Sequence, residues 1–122
     1  MVLRNETRST VVAGRVVEAR SFWATFRGLM GRASLGDGEG LWLAGTSSIH
    51  MMFMRFPIDC LFLSAADAAG RRKVVAVRRS LPRWRGIVMP VRGADGVVEL
   101  AAGVLAATAT DVGDEVTFSG AD

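Results

Sequence analysis

The sequence predicts a mainly β protein: a single small β-barrel or tightly curved sheet with one or two short helices. Three observations predict it. β-branched and aromatic residues gather in runs of roughly four to eight, too short for most helices, and glycine, proline and aspartate separate them. One run, from Ile49 to Phe56, is mostly apolar on both faces when read with the period of a strand. A chain of 122 residues also fits one domain, able to remove about two-thirds of its unfolded surface from water without a disulfide or metal staple.

Taken in order, Val2 to Arg4 and Val11 to Ala19 have the β-branched content of strands, and the polar turn from Asn5 to Ser9 makes them a hairpin. Ser21 can cap a short helix through Gly28, with Phe22, Phe26 and Leu29 on one face and Arg20 and Arg27 pointing away. The glycines at 28, 31, 36, 38 and 40 raise the question of a phosphate-cradling loop. No lysine followed by serine or threonine comes after them, so they read as a glycine-rich turn. Leu41 to Ala44 resumes as a strand, with Trp42 in the core.

Written as a strand, the segment before Pro57 puts Ile49, Met51, Phe53 and Arg55 on one face and His50, Met52, Met54 and Phe56 on the other. Apolar faces on both sides place it in the middle of a sheet or in a barrel wall. Pro57 cannot donate to a ladder and marks the corner before a second strand, Ile58 to Leu63. Arg55 and Asp59 flank that corner. An ion in such surroundings costs several kcal/mol unless paired. The two residues therefore either bridge each other structurally or form a pocket floor, with Arg55 aimed at an anionic or carbonyl group.

Beyond a turn at Asp67 and Gly70, Lys73 to Arg79 reads as a half-exposed strand. Leu81 to Gly86, with Pro82 and Gly86, reads as a protruding loop that carries Trp84 between Arg83 and Arg85. Val97 to Leu100 is a strand in which Glu99 must be either exposed or paired with an arginine inside. Gly103 to Thr110 suggests one or two turns of helix, and Asp111 to Asp114 turns into a last strand, Glu115 to Phe118.

Four of these motifs together resemble domain-of-unknown-function family 192: IHMMFMRFPIDCLFL at 49–63, RGLMGR at 27–32, GEGLWL at 38–43 and VELAAG at 98–103. The resemblance spans nearly the whole chain in the right order. It implies a small β-rich fold and brings no established activity with it. On this resemblance His50, Met54, Arg55, Pro57, Asp59, Glu99 and Gly103 stand at the family's characteristic positions. Met51 and Met52 replace a threonine and an aromatic residue, and Cys60 replaces an aliphatic one.

Charge and cysteine content narrow the classes of function. The net charge of +3 is unevenly spread: residues 71–92 hold eight basic residues and no acid, and residues 93–122 hold six acids and no base. The two segments either neutralise each other across the fold or leave a basic patch for an anionic partner. One cysteine allows no intrachain disulfide, which agrees with a reducing compartment. The first twenty residues lack the unbroken apolar core of a signal peptide, and the central run is too interrupted to cross a bilayer. The expectation is a soluble, cytoplasmic protein.

Candidate chemistry follows from these residues. His50, Met52, Met54 and Cys60 are ligand types for a soft metal ion, but methionines are ordinary core fillers, and no metal or cofactor is expected. Cys60 with His50, and Ser47 or Ser48 near His50, lack the local signatures of nucleophilic catalysis. Asp59 and Glu99 could serve as an acid–base pair, with His50, if folding brings them into one cleft. Arg83, Trp84 and Arg85 are candidate nucleic-acid contacts, and Trp84 could equally stack on a sugar or anchor a protein partner. The expected function is a binding module for a small molecule or protein, with a cleft bordered by His50, Arg55, Asp59, Trp84 and Glu99. The alternatives are a hydrolytic or acid–base enzyme and a nucleic-acid binder using segment 71–92.

Overall fold

A computed structural model of the chain describes residues 1–18, 35, 36, 38–45, 49, 50, 57–81, 87, 88 and 90–120; at 49, 50, 87 and 88 it describes the backbone. The strands are β1 (Val2–Asn5), β2 (Thr10–Ala13), β3 (Arg15–Glu18), β4 (Glu39–Ala44), β5 (Ile49–His50), β6 (Ile58–Leu63), β7 (Arg72–Leu81), β8 (Ile87–Val88), β9 (Gly96–Ala101) and β10 (Glu115–Ser119). One short helix, α1 (Val104–Ala107), follows β9. The predicted helix at 21–28 falls outside the described residues.

Eight strands form one sheet in the order β2-β1-β10-β7-β6-β9-β4-β3. Its two edges, β2 and β3, are consecutive in the chain and joined through Gly14 alone. The sequence suggested one strand from Val11 to Ala19. The structure breaks it at Gly14 because β2 runs antiparallel to β1 at one edge while β3 runs parallel to β4 at the other. The ladder does not close, but the seam is tied at one point, where the Met1 amino group donates to Val16 O (2.9 Å) and Val16 N–H donates back to Met1 O (2.7 Å). The result is a mainly β, tightly curved sheet.

β6 and β9 lie at the centre, and every residue of both is buried. A strand covered on both sides needs apolar side chains in both directions, which IDCLFL and GVVELA nearly supply. The inner, concave face carries Leu3, Val16, Trp42, Leu61, Leu100 and Val116, closed at one end by Leu105 of α1. On the outer face Ile58, Cys60, Phe62, Val97 and Ala101 pack beneath Leu35, with Leu41, Leu81 and Val104 at the margins. Trp42 is core, as expected, at 5% exposure. Its ring lies where a Cβ on Gly96 would stand, so Gly96 is the residue that lets the indole rest against β9.

The central stretch divides differently from the sequence reading. Ile58–Leu63, after the proline, is the strand in the middle of the sheet. Before it, Ile49–His50 forms a separate two-stranded sheet with Ile87–Val88, His50 opposite Ile87. Residues 51–56 fall outside the described residues. β7 is longer than expected, and its buried residues are Val74, on the inner face, and Ala76, on the outer face, with Val75 and Val77 half-buried.

Candidate functional site

Asp59 and Glu99 are both buried, at 0% and 4% exposure, yet the sheet keeps them apart. Asp59 pairs with Leu100 and Cys60 with Glu99 in the β6–β9 register. Residues directly opposite in a ladder share a face, and neighbours along a strand alternate. Asp59 therefore belongs to the inner face with Leu61 and Leu63, and Glu99 to the outer face with Cys60 and Phe62. The acid–base pair expected from the sequence does not form, because the one-residue offset sends the two carboxyls to opposite sides.

Asp59 has a full set of backbone partners. Its Oδ1 accepts from Ser80 N–H (2.8 Å), and its Oδ2 accepts from Gly103 N–H (3.1 Å) and Leu105 N–H (3.0 Å). Ser80 sits at a register shift between β6 and β7 with φ of 51°, and Gly103 precedes α1 with φ of 96°. The α1 start has no side-chain cap of its own, so Asp59 serves as its cap from a neighbouring strand. Three charge-assisted bonds join β6, β7 and α1 through one carboxylate. Asp59 is a structural brace, and the pairing expected with Arg55 concerns a residue outside the described set.

Glu99 is different. Its Oε2 is buried and accepts no hydrogen bond. Burial pushes its carboxyl from 4.5 up to about 7. Neither expected state, exposed or paired with arginine, is observed: among the described residues Glu99 has no cationic partner. Its cross-strand row runs from Leu41 on β4 through Glu99 and Cys60 to Arg78 on β7. Arg78 is exposed, donates to Val77 O (2.8 Å) and lies 5.9 Å from the centre of the Phe62 ring. Burial, then the Glu99 and Asp59 carboxyls, push the Cys60 thiol well above its usual value against the weaker pull of Arg78. A buried thiol of this kind is inert, so a Cys60 nucleophile has no support here.

The other sequence-predicted residues are placed in part. His50 is described by its backbone in β5, and Arg55, Arg83, Trp84 and Arg85 lie outside the described residues. No cluster of three potential metal-ligating side chains occurs among the described residues. An open concavity of about 430 Å³ lies between β2 and α1, lined by residues that include Val11, Val12, Gly14, Gly38, Gly103 and Val104. The described residues that line it include no titratable side chain and none of the predicted site residues.

The basic segment meets the acidic one. Arg71 pairs with Glu115 (3.2 Å), Arg72 with Asp95 (3.2 Å) and Arg79 with Asp111 (3.9 Å). Each such pair contributes at most about 1 kcal/mol at the surface, but together they offset part of the positive field. Sequence reasoning missed a second buried polar cluster. Asn5 Nδ2 donates to Asp114 Oδ2 (2.9 Å) and Thr110 Oγ1 (3.2 Å), and its Oδ1 accepts from Arg8 N–H (3.0 Å). Burial alone would raise the Asp114 carboxyl, but bonds from Asn5 and the Asp111 N–H, with Arg8 nearby, hold it below its usual value. Asn5 and Asp114 are 109 residues apart, so local patterning gave no signal.

Comparison with known proteins shows what the chain is similar to. The family model DUF192, described as Uncharacterized ACR, matches residues 3–118. A UPF0127 protein of Thermococcus sibiricus (strain DSM 12597 / MM 739) is 35% identical over 121 residues, which span 96% of this chain and 74% of that one. A crystal structure of a protein of unknown function from Novosphingobium aromaticivorans DSM 12444 has a TM-score of 0.75 at 24% identity, covering 96% of this chain and 83% of its own. A provisionally named transcription regulator from Sinorhizobium meliloti 1021 has a TM-score of 0.72 at 20% identity, covering 94% and 88%. At these identities the two structures show a shared fold. No helix among the described residues is long and apolar enough to cross a membrane.

Proposed function

Because this chain belongs to the uncharacterised DUF192 family, its function has to be read from its own residues, and we propose that it is a small binding module whose site is organised around the Glu99 carboxyl. The observation that carries the reading is the buried Oε2 of Glu99 without a partner. Leaving such a group unpaired costs on the order of 1–3 kcal/mol, and more once it ionises. A fold that needed only packing at this position would be better served by an apolar residue. Asp59, next to the end of the same ladder, shows what a carboxyl used for structure looks like, with both oxygens filled.

In this reading His50, Arg55 and Trp84 are proposed ligand contacts beside Glu99, and Asp59 leaves the contact set for a bracing role. Hydrolytic chemistry is disfavoured by the division of the two carboxyls between opposite faces. Nucleic-acid binding through Arg83, Trp84 and Arg85 is disfavoured by the ion pairs at Arg71, Arg72 and Arg79. The single buried, unbridged cysteine suits the cytoplasm as the proposed location.

Native mass spectrometry of gently purified protein tests the reading. The wild-type chain should retain a defined small mass or a partner, and Glu99→Leu should lose it while keeping the fold. Retention of the same mass by Glu99→Leu would sink the proposal.

A further inference from the structure

We draw no further inference here: the strongest candidate, the open concavity of about 430 Å³ between β2 and α1, is apolar apart from the Thr108 hydroxyl among the described residues that line it, that hydroxyl already donates to Val104 O (2.8 Å), and nothing in the structure shows what covers it.

Discussion

Cys60 and Glu99 stand directly opposite each other in the β6–β9 ladder, a buried thiol beside a buried carboxyl with one oxygen unpartnered. Burial makes both harder to ionise, and the Glu99 carboxyl adds to the effect on Cys60. At neutral pH this leaves Cys60 a thiol and Glu99 divided between two protonation states. Among the described residues those packed around them, Ile58, Phe62, Val97 and Ala101, are apolar.

Stability should fall as pH rises through neutrality. Glu99 has a folded value of about 7 against 4.5. The folded state therefore binds the proton more tightly than the unfolded chain does. Its contribution is fully present below about pH 4.5 and is lost by the time pH passes 7, amounting to roughly 3 kcal/mol. Urea denaturation of wild type and Glu99→Gln at pH 5 and pH 8 measures it, and the variant should lose the decline. Asp114 gives the opposite limb, since its folded value is depressed. Its stabilisation is present above about pH 4 and disappears as pH falls through the lowered folded value.

Cys60 should be nearly unreactive in the native state. Iodoacetamide at pH 8 should label it at least about a hundredfold more slowly than it labels the urea-unfolded chain, because reaction waits for opening of the sheet. Fast labelling of the folded protein would show that the β6–β9 centre is open. Cys60→Val, which restores an aliphatic residue, should cost less than about 1 kcal/mol.

Replacing Asp59 should loosen three elements at once. Asp59→Ala leaves the N–H groups of Ser80, Gly103 and Leu105 without their acceptor. The loss should be about 3 kcal/mol or more in denaturant titration. Asp59→Asn, which keeps one carbonyl oxygen, should fall between wild type and alanine. Hydrogen exchange should show the loss first at α1 and at the end of β7.

Gly96→Ala places a methyl group in the space occupied by the Trp42 ring. That ring is also held 5.0 Å from Phe118 and 4.8 Å from the Arg72 guanidinium, measured between centroids and from centroid to Cζ. With little room to move, the substitution should cost roughly 1–3 kcal/mol. Combining it with Trp42→Leu should cost less than the sum of the two single changes, because the second removes the collision.

Much of the sheet was legible in the sequence. The period-two runs marked β4, β6, β7, β9 and β10, and the Asn5–Ser9 turn marked the first hairpin, because strand and turn preferences act over a few neighbouring residues. The helix after Gly103 was equally local. The break at Gly14 was not legible, since a glycine between two β-branched runs does not say which sheet edge each run will join.

For the site, the sequence by itself determined which chemistry was available: one thiol, one histidine and two carboxyls in apolar runs. Only the tertiary structure decided their roles. A register of Cys60 against Glu99 puts Asp59 on the concave face, where three backbone donors satisfy it, and puts Glu99 on the convex face, where none does. A shift of one residue would exchange the faces. That register is set by apolar residues along all of β6 and β9 finding two buried faces at once, which no local stretch of the chain specifies.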